Sequence, residues 1–473
     1  MSMVAMTPHD QPVTVAQHVA DWMAGLTAAG IPAAARATAR RSLIDVVGVI
    51  HAGLGMPLAR LVREEVLDEA APGPSRIFGT RRRVAPIAAA RANATAAHVL
   101  DFDANFNRGM VFGPAALFPA LFALAESESA SGERFLAAFA IGTEIVRTLA
   151  ESLSDIPYRK DRDSLFYKGW FNTGVLGPVG VAGAAAWLLG LPREETAQAL
   201  AIAAVQACGL RIGVGSDMKP LLCARASETG LRAALLARKG VQAPLDAFEG
   251  PRGFIRVINA GSWTDEAFAG LGSFQDAGAS YKLYPACSSV QAAAEALVRI
   301  LADHALSAQD VTAVRCEVTP HIAANLAFEN PQNVTQAQFS LSYALGCILH
   351  RGDFVAADLN ADDLVNPAIR AEMAKITMQS GLTFASEAEA RDAAEATRIT
   401  VTRRDGKQFC AQQNASTGKP INPISDALLD KKFFANMAEV LPVPLAKDLL
   451  GRIRALESLE DIRLLFPDEE RRP

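Results

Sequence analysis

The apolar residues of this chain recur with a helical period over more than half of its length. Between residues 14 and 272 they return at spacings of three and four positions, and segments that alternate like strands are almost absent. Alanine is abundant in the same stretch, which favours helices and allows neighbouring helices to approach closely. We therefore predict a large helical domain here, with helices at residues 15–26, 32–54 and 135–153.

A second pattern enters in the later part of the chain. Residues 311–319 (VTAVRCEVT) alternate like a strand, and residues 376–378 are expected to add a short one. Residues 399–413 predict a hairpin that turns at Asp405 and Gly406, because an Asp-Gly pair suits the tight turn between two strands. These signals favour a smaller domain that combines strands with helices.

The two patterns predict a mostly α fold made of two domains. The large all-helical domain is expected to be discontinuous, at residues 14–276 and again at residues 416–473, where the helical period returns. Residues 277–415 are expected to form the smaller α+β domain. The C-terminal helices would then pack back on the first domain.

Composition excludes several classes of protein. Of the 473 residues, 50% are hydrophobic and 21% are charged, which is typical of a globular chain and not of a disordered one. The net charge is −5 and the basic residues are scattered, which argues against nucleic acid or an anionic membrane as the partner. The apolar run at residues 174–191 has the length of a membrane span, but its glycine, proline and alanine content favours a packed core helix.

The cysteines indicate a reducing compartment. All six stand singly, with no spacing typical of metal ligands, so we expect free thiols and no metal site. The N-terminus shows no pattern of basic residues followed by an apolar run, so a cytoplasmic location is expected.

Four separated apolar stretches contain charged or hydroxyl-bearing residues. They read HVLDFD, MKPLLCAR, YKLYPACSSVQ and QFSLSY. Such groups are costly to bury unless they are paired, and if they converge they mark a site for a small anionic ligand. The residues concerned are Asp101, Lys219, Lys282 and Tyr343.

These stretches, together with FPALFALAE and GWFNTGVLGPVGVAGAAAWLLGL, resemble the MmgE/PrpD family in order and spacing from about residue 14 to residue 466. That family includes 2-methylcitrate dehydratase, cis-aconitate decarboxylase and iminodisuccinate epimerase. The resemblance implies a large helical domain with a smaller α+β lid domain, a pocket between them, and a homodimer. It also implies proton transfer on small carboxylates without a metal or an organic cofactor.

By the resemblance, Lys282, Lys219, Asp101 and Tyr343 match pocket positions of the family and are expected to be catalytic. Such chemistry needs cationic donors for carboxylates and a group that exchanges protons near neutral pH. Lys282 is the strongest candidate, because a lysine inside an apolar run is expected to be buried, and burial would lower its pKa. The alternatives are a local ion pair or cap for Asp101, a surface lysine for Lys219 and an ordinary core tyrosine for Tyr343.

The chain departs from the family where active members carry histidine. By the resemblance, Phe112 and Phe171 stand at two of those positions and Gln291 at a third, while Ala104 and Asn105 replace an acid and a threonine in the DFDAN segment. Phenylalanine cannot accept a proton, and glutamine does not titrate. We therefore expect Asn105, Phe112, Phe171 and Gln291 to contact substrate without exchanging protons, in a more apolar pocket that favours fewer carboxylates and a hydrophobic or aromatic portion.

Three further residues have open assignments. His98 is expected to contact substrate, with a satisfied core histidine as the alternative. Arg108 lies beside the lost histidine, where it would supply a carboxylate contact or lie in a surface loop. His321 follows the predicted strand at residues 311–319, within reach of a lid-side pocket but without a motif.

The sequence leaves three functional readings open. The first is a lyase or isomerase of altered mechanism or substrate, with Lys219 or Lys282 as the base and Asp101 and Tyr343 assisting. The second is a non-catalytic member that binds a carboxylate or serves as a scaffold. The third is an epimerase or racemase, in which two groups exchange a proton on opposite faces of one carbon.

Overall fold

The computed structural model describes residues 13–153, 165–264, 266–275 and 278–466. The fold is mostly α with a smaller α+β part, which confirms the predicted fold class. The helices of the described part are α1 (Val15–Ala24), α2 (Ala33–Gly53), α3 (Pro57–Glu69), α4 (Pro86–His98), α5 (Gly113–Glu128), α6 (Gly132–Ser152), α7 (Asn172–Leu189), α8 (Arg193–Gln206), α9 (Met218–Arg238), α10 (Phe254–Asn259), α11 (Glu266–Ala269), α12 (Ser288–Asp303), α13 (Pro320–Asn325), α14 (Val334–Ala337), α15 (Leu341–Arg351), α16 (Ala361–Val365), α17 (Pro367–Met373), α18 (Glu387–Asp392), α19 (Asp426–Met437) and α20 (Val443–Arg454). The strands are β1 (Pro72–Arg76), β2 (Arg83–Val84), β3 (Asn105–Phe106), β4 (Ala279–Ser280), β5 (Val311–Val318), β6 (Ile376–Ser380), β7 (Thr397–Arg403) and β8 (Gln408–Gln413).

Helix α7 lies at the centre of the helical body, against α5, α6, α8 and α9. A Cβ on Gly230 of α9 would lie 2.4 Å from the carbonyl oxygen of Pro178 in α7, so only glycine allows this close crossing. Pro178 has no N–H to donate inside α7, and the carbonyl of Gly174 accepts instead from the backbone N–H of Cys208 at 3.2 Å. Within the described residues α7 has the length and apolar composition of a membrane span, and 89% of it is buried inside the protein.

The smaller part is built on a four-stranded sheet in the order β6-β5-β7-β8. Strand β5 pairs with β6 in parallel and with β7 antiparallel, and β7 and β8 form the predicted hairpin, with Gly406 at a φ of 84° in its turn. Buried residues of β7, including Ile399 and Val401, lie on the face that packs against α12. The strands predicted at residues 311–319 and 376–378 are confirmed as β5 and β6.

Two short strands join the distant segments that carry the charged residues. Strands β3 and β4 pair antiparallel, with Asn105 opposite Ser280 and Phe106 opposite Ala279. A two-residue strand has no period that sequence analysis can detect, and neither strand was predicted. The pairing brings the loop that holds Asp101 beside the segment that holds Lys282.

Helix α19 packs on α2 and supports the same loop from behind. The ammonium group of Lys432 lies 2.6 Å from Oδ1 of Asp45, and both side chains are buried. Lys432 also donates to the carbonyl of Phe102 at 2.8 Å, while Oδ2 of Asp45 accepts from the N–H of Ala104 at 3.0 Å. Burial raises the pKa of Asp45 and lowers that of Lys432, which is the signature of a pair held in a dry interior.

We predict that Lys432→Met destabilises the protein by about 3–5 kcal/mol, because it leaves Asp45 buried without its partner. The exposed neighbour Lys431 provides the matched control, and Lys431→Met should change the free energy of unfolding by no more than about 0.5 kcal/mol. Urea denaturation followed by circular dichroism measures both. Equal losses in the two variants would show that the pair does not fasten α19 to the loop, and an Asp45→Asn/Lys432→Met double variant should recover part of the loss.

Candidate active site

A cavity of about 560 Å³ lies between residues of the helical body and residues of the α+β part. Its wall combines charged and amide groups with the rings of several phenylalanines. The polar lining consists of Asp101, Asn105, Asn107, Asn172, Arg211, Lys219, Ser288, His321, Asn325, Glu395 and Lys419. The aromatic lining consists of Phe112, Phe166, Phe171, Phe328 and Phe339.

Asp101 lies between two ammonium groups at this wall. Lys219 Nζ is 2.8 Å and Lys282 Nζ is 3.0 Å from Oδ1 of Asp101, and Lys282 also donates to the Asp101 backbone carbonyl. All three side chains are buried, with 5% or less of each residue exposed. Burial alone would raise the pKa of Asp101, but Lys219 and Lys282 together hold it well below its usual range. Three residues more than 60 positions apart in the chain thus meet in one cluster, which is what the sequence predicted of them.

Lys282 does not behave as the sequence predicted. Burial lowers the pKa of its ammonium, but the carboxylates of Asp101 and then Asp103 raise it by more, so the net shift is upward. The expectation of a lowered pKa was therefore wrong, because it considered the effect of burial and not that of the Asp101 carboxylate beside the ammonium group. Lys282 remains a cation behind Asp101, and it is absent from the described residues that line the cavity.

His98 extends the cluster behind Lys219. Its Nε2 lies 2.8 Å from Lys219 Nζ, and its Nδ1 lies 2.9 Å from Oδ1 of Asp103. Burial lowers the pKa of His98, and the carboxylate of Asp103 only partly opposes this. The imidazole is accordingly neutral, with Nδ1–H donating to Asp103 and the Nε2 lone pair accepting from Lys219. We had expected His98 to contact substrate, but it lies behind Lys219, outside the described lining of the cavity.

The backbone at Asp101 is held in an uncommon conformation. Helix α4 ends at His98, and Asp101 then adopts a φ of 47°, in the left-handed region that non-glycine residues rarely occupy. The N–H of Asp101 donates to the carbonyl of His98 at 3.1 Å, and the backbone carbonyl of Asp101 accepts from the ammonium group of Lys282. Such local strain persists where surrounding contacts fix it, and here they aim the carboxylate at both amines.

Phe112 and Phe171 present aromatic surface to the ammonium groups. The Lys219 Nζ atom is 4.2 Å from the Phe112 ring centroid and 5.9 Å from that of Phe171, and Lys282 Nζ is 5.1 Å from the Phe112 centroid. Phe339 adds a third ring at 5.6 Å from Lys219. The face of an aromatic ring attracts a cation, so these rings make favourable contacts with the ammonium groups and exchange no protons themselves.

Gln291 and Tyr343 lie away from the cavity. The Gln291 amide accepts from the N–H groups of Leu283 and Tyr284, each at 3.0 Å, and donates to the Tyr284 carbonyl at 2.9 Å. It therefore braces the segment that follows Lys282 and does not face a ligand. The buried Tyr343 hydroxyl donates to the carbonyl of Asp358, so the structure does not bring it to the cluster.

The QFSLSY segment contributes Gln338 instead of Tyr343. The buried Gln338 side-chain amide donates to the carbonyl of Val99 at 2.8 Å, and the backbone carbonyl of Gln338 accepts from the N–H of Cys287 at 2.9 Å. It thus ties the Asp101 loop to the segment that carries Lys282. Among the remaining expected contacts, Asn105 lines the cavity, and the side chain of Arg108 lies outside the described residues.

A second charged group that the sequence did not reveal also lines the cavity. Glu395 and Lys419 form a buried ion pair, and although burial raises the pKa of Glu395, Lys419 and then His321 bring it below its usual value. His321 lines the cavity, as its position in the sequence suggested, and burial lowers its pKa. Glu395, Lys419 and Arg211 each stand singly, and no motif marked them.

The carboxylates and imidazole of the cluster do not form a metal site. Ligand atoms of His98, Asp101 and Asp103 lie within 4.8 Å of one another. However, Lys219 donates to both His98 and Asp101, and Lys282 places a second positive charge on Asp101. A divalent cation would have to displace these ammonium groups from the same donor atoms. The donor set therefore fits an ion-pair network and not a metal ion.

Comparison with known proteins identifies relatives over almost all of the chain. The MmgE/PrpD N-terminal domain model matches residues 17–266, and the MmgE/PrpD C-terminal domain model matches residues 284–456. The cis-aconitate decarboxylase of Homo sapiens is 27% identical, with 81% of this chain and 79% of the relative covered. The cis-aconitate decarboxylase of Aspergillus terreus is 24% identical over 96% of this chain and 95% of the relative. The cis-aconitate decarboxylase-like protein oryM of Aspergillus oryzae is 30% identical over 48% of this chain and 47% of the relative.

We predict that His98 makes the fold sensitive to mild acid. Its pKa is lower in the folded than in the unfolded chain, where it is about 6.5, so unfolding takes up a proton at lower pH. Stability should therefore fall as pH drops below about 6.5, by up to about 1.4 kcal/mol per pH unit for this proton. The depressed pKa of Asp101 has the same sign, but its contribution is lost only below its unfolded pKa of about 3.9.

Thermal unfolding midpoints measured from pH 7.5 to pH 4.5 test this. His98→Gln should flatten the acid slope relative to the wild type, whereas the exposed His350→Gln should leave it unchanged. A slope that survives in His98→Gln would mean that another group, such as His321, takes up the proton.

Proposed function

This chain belongs to the MmgE/PrpD family, and from that membership and the cavity geometry we propose that it is a lyase that acts on a small carboxylate without a cofactor. The reaction moves a proton at a carbon next to the carboxylate, and Lys219 carries that proton. One observation carries the proposal: Lys282, Asp101, Lys219, His98 and Asp103 form a continuous hydrogen-bonded chain, and its central lysine faces the cavity.

Lys219 has a donor left for substrate. An ammonium group has three N–H bonds, and in the described structure one is directed to Asp101 and one to the imidazole of His98. The third has no hydrogen-bond partner among the described residues, and the ammonium group that carries it borders the Phe112 ring and the cavity. A substrate carbon or carboxylate in the cavity would meet this N–H first, since Lys282 is covered by Asp101.

In a decarboxylation, Lys219 acts as the acid. The bond between the carboxylate carbon and its neighbour breaks, carbon dioxide leaves, and the electron pair stays on the neighbouring carbon. Lys219 then transfers its proton to that carbon and becomes a neutral amine, which takes a proton from water in the cavity. Asp101 stays ionised throughout because Lys282 remains paired with it. The relatives named above are cis-aconitate decarboxylases, which supports a reaction of this lyase type for the present chain.

In an elimination, the same hydrogen-bonded residues move a proton in the opposite direction, from the substrate to Lys219. Lys219 must first lose its proton, and the Nε2 lone pair of His98, at 2.8 Å, is the adjacent acceptor. The resulting imidazolium is stabilised by the carboxylate of Asp103 on its other nitrogen. The amine then removes a proton from the substrate carbon, and the bond to the leaving group on the adjacent carbon breaks, with its electron pair going to the leaving group. Lys219 gives this proton to the departing anion and recovers its first proton from His98. His98 is a positioning residue in both directions, since it touches Lys219 and not the substrate.

The aromatic wall supports a substrate that differs from a tricarboxylate. Phe112 and Phe171 occupy two positions where the family resemblance leads one to expect histidine, and three more phenylalanine rings line the cavity. These rings offer no hydrogen bonds to additional carboxylates and favour contact with apolar or flat groups. We therefore propose a substrate with a hydrophobic or aromatic portion next to the reacting carbon.

We predict that Lys219→Met lowers turnover by about 10²–10⁴-fold, the range typical of a lost general acid or base. Lys219→Arg should also be inactive, because guanidinium keeps its proton, whereas the exposed Lys447→Met should retain wild-type activity. Conversion is followed by proton NMR in heavy water over a panel of aliphatic and aromatic unsaturated carboxylates that includes cis-aconitate. Normal turnover in Lys219→Met would remove Lys219 from the reaction.

The same panel of carboxylates distinguishes a lyase from the other two functions that the sequence leaves open. Deuterium exchange at one carbon without net consumption would identify an epimerase or racemase. A carboxylate that raises the thermal midpoint but is never converted would identify a binding protein, since binding to the folded state alone is enough to stabilise it.

A further inference from the structure

We propose that Arg211, together with Asn325 and Phe166, forms a carboxylate-binding subsite of the cavity, distinct from the Lys219 cluster. The subsite anchors a single carboxylate of a ligand whose apolar or aromatic body lies against the phenylalanine wall. The identification of this ligand as the substrate rests on the proposed function, whereas the binding itself does not.

Arg211 is held in place by an aromatic ring and an amide. Its guanidinium carbon lies 3.6 Å from the Phe166 ring centroid, and its Nη2 donates to Oδ1 of Asn325 at 3.2 Å. Its backbone N–H donates to the carbonyl of Gly169 at 2.8 Å. Stacking leaves the edge of the guanidinium, with most of its five N–H donors, free to meet a planar oxygen pair.

Arg211 differs from the other cations of the cavity because it has no acidic partner among the residues that the structure describes. Lys219 is paired with Asp101 and Lys419 with Glu395, but within the described ranges no carboxylate lies at ion-pair distance from Arg211. Burial lowers the pKa of Arg211, as expected for a cation whose charge is not compensated nearby. An anion in the cavity would supply that compensation.

The neighbouring groups are neutral and fixed in orientation. Asn325 donates from Nδ2 to Nε2 of His321 and to Oγ of Ser289, each at 3.1 Å, so its carbonyl oxygen is the atom turned to Arg211. Burial lowers the pKa of His321; the carboxylate of Glu395 opposes this shift, but Lys419 and Arg211 add to it, so the imidazole stays uncharged. No neighbour therefore competes with a ligand for the charge on Arg211 within the described lining of the cavity.

The subsite joins the two parts of the protein. Arg211 comes from the loop between α8 and α9, while Asn325 ends α13 of the α+β part. The same loop is fastened further along, where Gly215, at a φ of 83°, lies so close to Phe328 that a Cβ would be 2.5 Å from the ring. A ligand bound to Arg211 would thus be held from both sides of the cavity.

The charge balance of the wall limits the ligand to one anchored carboxylate. The ionised lining groups of the described part are three cations and two carboxylates, and the two ion pairs among them leave one positive charge, on Arg211. A second anchored carboxylate would find no unpaired cation among the described lining groups, but only neutral amide and hydroxyl donors, phenylalanine rings and lysines that are already paired. This single unpaired positive charge favours an aryl or alkenyl monocarboxylate as the ligand. A dicarboxylate also fits if its second carboxylate is the one lost as carbon dioxide.

Binding of phenylacetate and of its neutral analogue phenylacetamide, measured by isothermal titration calorimetry, tests the subsite. Arg211→Gln should weaken phenylacetate binding by about 10- to 100-fold, the value of one charge-assisted contact, and leave phenylacetamide binding unchanged. Arg211→Lys should recover part of the affinity, because lysine keeps the charge but loses the bidentate geometry. The exposed Arg232→Gln serves as the matched control and should bind both probes as the wild type does.

Three results would overturn the subsite: equal wild-type affinity for the two probes, no wild-type binding of phenylacetate, or unchanged affinity in Arg211→Gln. Lys219→Met separates this proposal from the proposed function, since it should lose turnover and keep phenylacetate binding. Turnover that survives in Lys219→Met would refute the proposed function alone, and normal binding in Arg211→Gln would refute the subsite alone.

Discussion

The structure of the cavity depends on one carboxylate that two ammonium groups share. Asp101, Lys219 and Lys282 are buried together, and removing Asp101 would leave two positive charges in the interior without the carboxylate that they share. The left-handed backbone of Asp101, the β3–β4 pairing and the Lys432–Asp45 pair beneath the loop all hold this arrangement. The fold at this point is built to keep one negative group ionised away from water.

A shared carboxylate gives its two lysines different functions. Lys282 donates both to the side chain and to the backbone of Asp101, and its raised pKa keeps it charged. Lys219 is bound by Asp101 on one side and by a neutral imidazole on the other, so an acceptor for its proton lies within 2.8 Å. Lys282 therefore keeps a positive charge beside Asp101, and Lys219 lies at the cavity wall with a neutral imidazole next to it.

Sequence reasoning succeeded where a signal extends over many residues. The helical period, the Asp405-Gly406 hairpin and the cost of burying Asp101 and two lysines in apolar stretches all pointed to features that the structure contains. The sequence-based prediction failed for residues whose role depends on which group they contact in the folded protein. Gln291 and Tyr343 satisfy their hydrogen bonds on the backbone, and a side chain that pairs locally has the same sequence signature as one that faces a ligand. The ion pair between Glu395 and Lys419 could not be predicted for the same reason, since the two residues meet only in the folded chain.

The phenylalanines explain how a site of this kind can lack the expected histidines. A histidine beside Lys219 would exchange protons with it and with the substrate, whereas the ring of Phe112 at 4.2 Å attracts the ammonium and leaves its proton in place. The remaining imidazole, His98, lies behind the lysine, where Asp103 fixes its tautomer and the substrate does not reach it. In the proposed mechanism, proton exchange at the cavity wall is concentrated on Lys219. In the proposed subsite, the carboxylate is bound by Arg211, which has no acidic partner among the described residues, so the two proposals assign the two functions to separate residues of one cavity.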